Sequence, residues 1–322
     1  MSPNPILDAI FAPWHISVVT TACRLKVFSR LDGRRLSAGE LAHETGCVPR
    51  LLEALLDACV AMGLLRYENG AYANTHLSSA HLVEGRPLYV GNILEVQAGD
   101  AALWGRLLDV VRTGEAPLEC SGAGEQEAVF TLAMNDLGVL GEAEALAAAV
   151  DLSDHETLLD VGCGSGIYAI AFCRRHPRLH AILIDREQVL RTTARFVAAS
   201  GLADRIRMSS GDMTKGMGDE KADVVLLSDS LYFDRATSIR TLQLAYATLN
   251  PGGTVVIRGY YSDTGGSGSL FGSLFRLNLL VFDPSRTPPT APDVLAYLGE
   301  VGFKGSSRLA LTERSTCFVG TK

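Results

Sequence analysis

Short apolar runs alternate with amphipathic segments through the second half of the chain. Each run is short enough for one buried strand, and the segments between them have helical spacing. The runs lie at residues 157–161, 179–184, 205–208, 222–228 and 253–258. This alternation predicts an α/β fold, with a doubly wound parallel sheet over residues 151–322.

The first half has a different pattern, because its apolar residues recur mainly at helical spacing. Residues 5–30 are apolar on nearly every face, which predicts helices that another surface covers; a partner subunit is the natural candidate. Ser37 and Glu40 form a capping-box pattern, and a second apolar helix follows Pro49. Asn-Gly within Glu68–Ala71 predicts a β-hairpin. Helix, helix and hairpin in this order predict a winged-helix module.

The charge pattern argues against a nucleic-acid partner. The formal net charge is −7, and the helix that would enter DNA carries Arg50 together with Glu53 and Asp57. Dimerisation is therefore the better interpretation of the winged helix, with a metabolite-sensing DNA-binding regulator as the alternative.

Cysteine usage and the N-terminus both favour a cytoplasmic protein without a membrane span. The 7 cysteines are scattered and form no C-x-x-C pair, as expected of reduced thiols. The apolar stretch 6–23 contains Asp8, Pro13 and His15, and we expect a buried helix there. No two histidines have metal-ligand spacing, so no metal is predicted.

A glycine turn is the main candidate for a ligand site. An apolar strand ends at Asp160, and glycines then occupy every second position at Gly162, Gly164 and Gly166 before an apolar helix. Backbone can approach a ligand closely at such a turn, and the helix start offers free N–H groups. Asp185 ends the next apolar strand, where a carboxylate can accept from both hydroxyls of a ribose. The two marks together predict an adenosine-type ligand.

The winged-helix pattern followed by this turn resembles the S-adenosylmethionine-dependent small-molecule O-methyltransferases of plant and bacterial secondary metabolism. Gly211-Asp212-Met213, the L-x-P-G-G stretch Leu249–Gly253 and Val301-Gly302-Phe303 are similar to later motifs of that family. The resemblance covers essentially the whole chain. It implies a Rossmann-like class I methyltransferase that uses S-adenosyl-L-methionine, acts on a small-molecule acceptor and forms a homodimer.

The resemblance also implies a domain plan and a cofactor site. Residues 1–95 would form a winged-helix-like dimerisation domain, residues 96–150 a helical bridge contributing to the substrate pocket, and residues 151–322 the cofactor-binding domain. Asp160 would accept from the methionine ammonium, Asp185 from the ribose, and Asp212 and Met213 would meet the adenine. The full predicted cofactor set is Asp160, Gly162, Gly164, Gly166, Asp185, Gly211, Asp212, Met213 and Ser228.

The chain departs from the family where a catalytic base is expected. Tyr232 occupies the position of the family's histidine, and Pro288-Pro289-Thr290 replaces the segment that carries its supporting glutamate. Unperturbed tyrosine titrates near pH 10, so Tyr232 is predicted to orient the acceptor rather than to deprotonate it. His15, reaching over from a partner chain, is the other catalytic candidate.

The sequence thus predicts a methyltransferase for a small, largely apolar metabolite, with O-methylation preferred. Methylation of carbon or sulfur, or cofactor binding without methyl transfer, are alternatives that the missing histidine leaves open. Glycine-rich residues 265–269 are either a gate or an ordinary loop. The predicted substrate-side residues are Trp14, Phe130, Met134, Tyr232, Phe275, Asn278 and Leu279.

Overall fold

The computed structural model describes residues 4–116, 125–213, 215–218, 220–266 and 268–322. The loop predicted around residues 117–124 lies outside these ranges. The chain divides into two compact units, Met1–Ala101 and Ala102–Lys322, which are described in turn.

The first unit is mostly helical and contains one β-hairpin. Its elements are helices α1 (Pro5–Arg24), α2 (Val27–Arg30), α3 (Ala38–Thr45) and α4 (Pro49–Ala61), strands β1 (Leu65–Glu68) and β2 (Ala71–Asn74), helix α5 (His76–His81), and helix α6 (Gly91–Trp104), which continues into the second unit.

Local sequence accounts for the winged-helix order of these elements. Ser37 and Glu40 form the predicted capping box at the start of α3, and Pro49 is in the first turn of α4. Asn69 and Gly70 both have positive φ, 54° and 80°, as a two-residue hairpin turn of the primed type requires. The predicted helix–helix–hairpin succession is confirmed.

Helix α1 does not have the burial that its sequence predicted. Within the chain its apolar side chains face outwards, with Ile6 69% and Trp14 65% exposed. The expectation of a buried helix is therefore wrong for the single chain, because too little of this unit lies over it. In the described part of the chain, α1 is the one helix with the length and apolarity of a membrane span, criteria that core helices and signal sequences also meet.

The second unit is an α/β domain. Its helices are α7 (Leu107–Thr113), α8 (Glu125–Leu137), a π-helical turn at Gly138–Glu142, α9 (Ala143–Ala149), α10 (Ile167–Arg175), α11 (Glu187–Ser200), α12 (Arg235–Thr248), α13 (Leu270–Phe282) and α14 (Ala291–Val301), with a 3-10 turn at Thr264–Gly266. Its strands are β3 (Thr157–Val161), β4 (His180–Asp185), β5 (Ile206–Ser210), β6 (Ala222–Ser228), β7 (Leu249–Gly259), β8 (Lys304–Ala310) and β9 (Thr316–Thr321).

These seven strands form one sheet in the order β5-β4-β3-β6-β7-β9-β8. The first five are parallel, and β9 pairs antiparallel with both β7 and β8. The chain builds outwards from β3 to β5 and then returns to place β6 on the other side of β3. The crevice beyond the carboxyl ends of β3 and β6 is therefore the topological switch point, where ligands bind in such sheets.

The five predicted strands are found, whereas β8 and β9 add to them at one edge. Two hydrophobic clusters cover the two faces of the sheet. One contains Leu158, Leu183 and Val256, and the other contains Leu159, Val225 and Ile257. Successive residues of a strand point to opposite faces, so fully apolar strands supply both clusters.

Candidate active site

The glycine turn has the geometry of a ligand cradle. Gly162, Gly164 and Gly166 have φ values of 72°, 54° and 76°, a conformation that disfavours residues with a side chain. A Cβ on Gly166 would lie 2.8 Å from Leu183 Cδ1, so this glycine also permits the close packing of turn against strand. At Gly164 a Cβ would meet nothing within 4 Å, which leaves the crevice side of the turn open.

Asp185 is fixed against this turn. Its Oδ2 accepts from the Gly164 N–H at 2.9 Å and its Oδ1 accepts from the Arg186 N–H at 2.8 Å. The Thr193 hydroxyl donates to the Gly164 carbonyl at 2.6 Å and holds the turn from its other side. The predicted neighbours in the sequence motif are thus neighbours in space, and the carboxylate keeps lone pairs for hydroxyl donors.

Asp160 is a buried carboxyl group without hydrogen-bond partners. It is 1% exposed, and neither of its oxygens has a well-formed hydrogen bond; the nearby Ala169 N–H only slightly favours the anion. Burial, and secondly the charge of Asp185, raise the pKa of Asp160 to about 8 from an ordinary 3.8. Such a group is strongly destabilised as an anion unless a cation reaches it.

The ends of β5 and β6 complete the same edge. The Gly211 N–H donates to the Asp185 carbonyl at 2.9 Å, and a Cβ on Gly162 would meet Met213 Sδ at 3.4 Å and Ser230 Cβ at 3.5 Å. Asp212 is more exposed and contacts Lys215 at 3.1 Å. The buried hydroxyls of Ser228 and Ser230 also have no hydrogen-bond partner among the described residues, so this edge carries further polar groups that a ligand could satisfy.

A buried ion-pair network lies beside this edge, on the side of β7. Arg258 is fully buried and forms ion pairs with Asp229 and, at 2.7 Å, with Glu142 of the π-helical turn. Its guanidinium also lies over the rings of Tyr260 and Tyr168, at 4.2 Å and 5.3 Å. Asp229 has a φ of 51°, a strained value for a residue with a side chain.

The pKa values in this network follow from burial and from the Arg258 charge. Burial raises the pKa of Asp229 above its ordinary value, and Arg258 offsets only part of this. Burial also opposes ionisation of Glu142, but Arg258 and the hydroxyls of Ser315 and Thr312 outweigh it, so the pKa of Glu142 is lowered. The network therefore holds Glu142 firmly as an anion.

The Tyr232 hydroxyl is already held by two hydrogen bonds, which makes it poorly suited to act as a base. Its hydroxyl donates to Asp229 Oδ1 at 2.9 Å and accepts from the Tyr260 N–H at 2.6 Å. Burial, reinforced by the Asp229 charge, raises the pKa of Tyr232 well above its ordinary value. The structure thus places this hydroxyl in the network that supports the loop after β6.

Comparison with known proteins identifies the chain. Residues 114–304 match the family model of the O-methyltransferase domain, and residues 7–84 match that of the O-methyltransferase dimerisation domain. The chain belongs to the O-methyltransferase family. It is an S-adenosylmethionine-dependent O-methyltransferase, and the matched dimerisation domain supports a homodimer.

Individual relatives agree with this assignment. The chain is 32% identical to the 3-hydroxy-5-methyl-1-naphthoate 3-O-methyltransferase of Streptomyces sahachiroi, over 87% of this chain and 83% of the relative. It is 27% identical to the tetracenomycin polyketide synthesis 8-O-methyl transferase TcmO of Streptomyces glaucescens, over 99% and 97% of the two chains. Human N-acetylserotonin methyltransferase, solved in complex with S-adenosylmethionine, has the same fold, with a TM-score of 0.87, 23% identity and coverage of 100% and 99%.

The residues of this O-methyltransferase fit its cofactor. Asp160 has two buried oxygens without partners, which suits an ammonium group, and Asp185 sits at the turn with acceptor capacity left. Met213 offers a soft apolar surface beside Gly162. The family does not favour the alternatives of carbon or sulfur methylation, nor that of a DNA-binding regulator.

The predicted substrate-side residues fall into three groups. Phe275 and Leu279 of α13 pack against the core cluster that contains Tyr232, with the rings of Phe275 and Tyr232 5.2 Å apart. Asn278 accepts a hydrogen bond from Trp104 Nε1 at 3.0 Å.

The second and third groups lie elsewhere. Phe130, 56% exposed, and the half-buried Met134 lie on α8, which packs against α11. Trp14 and His15 are exposed on α1 in the first unit. Their roles stay predictions.

Sequence reasoning missed the network of Asp229, Arg258 and Glu142 and the hydroxyl of Ser230. The available signals were a charged residue at the end of the apolar strand β7, and Ser-Asp-Ser directly after β6. No group of three or more His, Cys, Asp or Glu side chains that could hold a metal ion occurs among the described residues. The expectation of no metal remains a prediction.

Proposed function

We propose that this enzyme methylates an aromatic hydroxyl of a small, largely apolar metabolite, which reacts as its phenolate. The two bacterial relatives are named for O-methylation of a hydroxynaphthoate and of a tetracenomycin polyketide, both aromatic-type acceptors. The observation that carries the proposal is the state of Tyr232 at the position of the family's base. Its hydroxyl is buried and used in two hydrogen bonds, so it does not remove the acceptor's proton.

The histidines of the second unit do not lie near the crevice. His155 precedes β3 and His180 begins β4, at the amino ends of these strands, and His176 follows α10. These three are therefore at the edge of the sheet opposite to the glycine turn. An acceptor that ionises readily by itself needs no imidazole. His15 of a partner chain is the remaining candidate for a base.

The proposed roles of the cofactor-site residues follow from their geometry. Asp160 would bind the ammonium, Asp185 the ribose hydroxyls, and Asp212 and Met213 the adenine, with Ser228 and the glycines Gly162, Gly164, Gly166 and Gly211 shaping the site. When bound, S-adenosylmethionine supplies a methyl group on a positively charged sulfonium. The residues themselves fix and align the two reactants in a crevice with little water, which alone can lower a barrier substantially.

The acceptor's own ionisation provides the test. With a series of substituted naphthols of increasing acidity, kcat/KM should rise with pH along a curve set by each naphthol's pKa. His15→Gln should leave these curves in place. An ionisation near pH 6–7 that is common to all acceptors and disappears in His15→Gln would contradict the proposal and assign the base to His15.

Four further properties belong to this proposal. The enzyme is a homodimer covered along α1, it is cytoplasmic, and it binds neither nucleic acid nor membrane. The exposed apolar side chains of Ile6, Ile10 and Trp14 support an interface on α1. Light scattering of the wild type and of Ile10→Glu would test it; a monomeric wild type would contradict the dimer. Gel shift and vesicle flotation would test the two exclusions, and fractionation of the source cells the location.

A further inference from the structure

We infer that the enzyme has an anion-binding cavity, separate from the cofactor residues, that takes an aromatic carboxylate. The cavity has a volume of about 330 Å³ and lies where α12, α13, α14 and the loop before α14 meet. This volume is at the lower end of the range for small-molecule sites, about 300–1,000 Å³. None of its lining residues belongs to the cofactor set.

Three guanidinium groups from three different elements line this cavity. Arg235 begins α12, Arg276 is on α13, and Arg286 is in the loop before α14. Positive charges gathered around one cavity repel each other, and a bound anion relieves that repulsion. The arrangement of the three arginines therefore favours an anion there. Arginine is also the side chain whose planar fork matches a carboxylate with two parallel hydrogen bonds.

The three arginines differ in how far they are already neutralised. Arg235 pairs with Glu300 at 2.5 Å and Arg286 with Asp283 at 3.2 Å. Arg276 is exposed and forms no ion pair or hydrogen bond with any residue that the structure describes. It is therefore the guanidinium available for a ligand.

The carboxylate of Asp293, on the cavity wall, does not pair with these guanidinium groups. Asp293 Oδ2 accepts from the N–H and the hydroxyl of Thr290, at 2.8 Å and 2.6 Å, and so caps the start of α14. Asp293 forms no ion pair with the three arginines, and Glu300 and Asp283 already neutralise Arg235 and Arg286, so Arg276 is the arginine of this cavity without a carboxylate partner in the described part of the chain. The anion position beside Arg276 remains open.

The other walls select a planar apolar body for the anion. Leu280 and Pro288 contribute aliphatic surface, and the Tyr297 ring lies 5.9 Å from the Arg235 guanidinium carbon. A free inorganic anion would leave these apolar walls facing water. An aromatic ring bearing a carboxylate covers them and meets Arg276 at the same time.

Pro288 and Pro289 give this cavity its fixed wall. They occupy the positions where the family resemblance leads one to expect a charged segment, and proline restricts the backbone of the loop. The loop is held at its far end by the Thr290–Asp293 capping box. The departure from the family pattern therefore coincides with the cavity.

The test is a binding titration of the full-length enzyme without S-adenosylmethionine, using 2-naphthoate as the probe and 2-naphthamide as its neutral match. We expect calorimetry to show binding of the acid and at least tenfold weaker binding of the amide. Arg276→Gln should weaken acid binding at least tenfold, and Arg276→Lys should recover only part of it. Arg240→Gln, which removes an exposed arginine on α12 outside the cavity, is the matched control and should bind like the wild type.

Several results would overturn the inference: no binding of the acid at millimolar concentration, equal binding of acid and amide, or an unchanged Arg276→Gln. Inorganic phosphate competing as well as 2-naphthoate would show a plain anion site and would overturn the aromatic part. S-adenosylhomocysteine affinity should be the same in all variants, which excludes misfolding as the cause. This binding is measured apart from methyl transfer, so its failure leaves the proposed function untouched.

A second arm asks whether the acid is the acceptor or a separate ligand. With S-adenosylmethionine present, 3-hydroxy-2-naphthoate is offered to the wild type and to Arg276→Gln. Methylation that falls at least tenfold in the variant, through KM, supports a cavity that holds the acceptor's carboxylate. Binding of the acid without methylation supports a cavity for a second molecule.

Discussion

The two sides of the switch point in the sheet handle buried charge in opposite ways. At the end of β3, Asp160 is buried with two unpartnered oxygens, and Ser228 and Ser230 at the end of β6 have unpartnered hydroxyls. Beside β7, Asp229 and Glu142 are both paired with Arg258. The first arrangement is costly for the free protein and ready for a ligand. In the second, both carboxylates are paired within the chain, although Arg258 Nε has no hydrogen-bond partner among the described residues.

This difference separates a binding site from its support. Unsatisfied groups gain most when a ligand of matching charge arrives, so Asp160 is placed to contribute affinity. The network around Arg258, whose carboxylates are already paired, gains no stability from a ligand. It resists movement instead, and it fixes the loop that carries Asp229 and Tyr232. The predictions below test this contrast, from the largest expected effect to the smallest.

Arg258→Met should cause the largest loss of stability. It removes the cation that pairs with Asp229 and leaves the buried Glu142 with only Arg314, 3.5 Å away. Breaking a buried pair from one side costs about 3–5 kcal/mol. Urea denaturation measures the change in unfolding free energy. Arg240→Met, at an exposed position on α12, is the control; equal stability of the two variants would show that the network contributes nothing.

Gly166→Ala should destabilise more than Gly201→Ala, although both glycines have nearly the same φ, 76° and 74°. Each substitution carries the backbone cost, about 1–2 kcal/mol. A Cβ at Gly201 meets nothing within 4 Å, whereas at Gly166 it meets Leu183 at 2.8 Å and Thr193 at 3.3 Å. This overpacking adds about 1–3 kcal/mol. Thermal and urea unfolding of the pair would reveal the difference; identical losses would exclude close packing as the reason for Gly166.

Asp160→Asn should stabilise the cofactor-free enzyme at alkaline pH. Because the pKa of Asp160 is raised to about 8 in the folded state, the unfolded chain ionises first, and stability falls as pH rises from about 4 to about 8. The variant removes this fall, so its stability at pH 8 should exceed that of the wild type.

The same substitution should weaken S-adenosylhomocysteine binding at least tenfold, because the amide cannot neutralise an ammonium. Unfolding at several pH values and calorimetry measure the two effects, with the exposed Asp204→Asn as the control. A variant that is less stable than the wild type at pH 8 would refute the assignment of a strained carboxyl at Asp160.

Asp185→Ala should reduce S-adenosylhomocysteine affinity by tenfold or more, about 1.4 kcal/mol, through loss of a charge-assisted hydrogen bond. It also removes the acceptor of the Gly164 N–H. Calorimetric titration against Asp204→Ala tests this; unchanged affinity would remove Asp185 from the cofactor site.

Tyr232→Phe should have the smallest effect, a loss of about 1 kcal/mol of stability, because Asp229 keeps its ion pair with Arg258 and the main loss is the acceptor of the Tyr260 N–H. The pH dependence of kcat/KM should keep its shape if, as we propose, the hydroxyl is not the base. A shifted profile would show that Tyr232 takes part in catalysis, and it would contradict the separation between a binding region and a supporting region.

The elements that sequence predicted are those that local pattern determines. The glycine turn, Asp185 and Gly211–Met213 each follow an apolar strand, so their common edge could be derived from strand order alone. The hairpin at Asn69 and Gly70 needed only its turn residues. The edge strand β8 was missed because its Lys304–Arg308 stretch is polar and contains glycine, which weakens a strand pattern.

The network of Asp229, Arg258 and Glu142 could not be predicted from the sequence, because Glu142 is distant in the chain from the other two residues. Glu142 and Arg258 are 116 residues apart, and no local periodicity relates them. The exposure of α1 was also beyond the sequence. A helix that is apolar on all faces predicts that another surface covers it, and only the structure shows that its own unit does not supply that cover.

The bond between Glu142 and Ser315 has a consequence for synthesis. It joins residues 173 apart, and β9, which lies between β7 and β8, comes from the same late stretch of the chain. Until that stretch has left the ribosome, the side chains of Arg258 and Glu142 are not fully buried and one edge of β7 is unpaired. Folding of this domain therefore waits until β9 has left the ribosome.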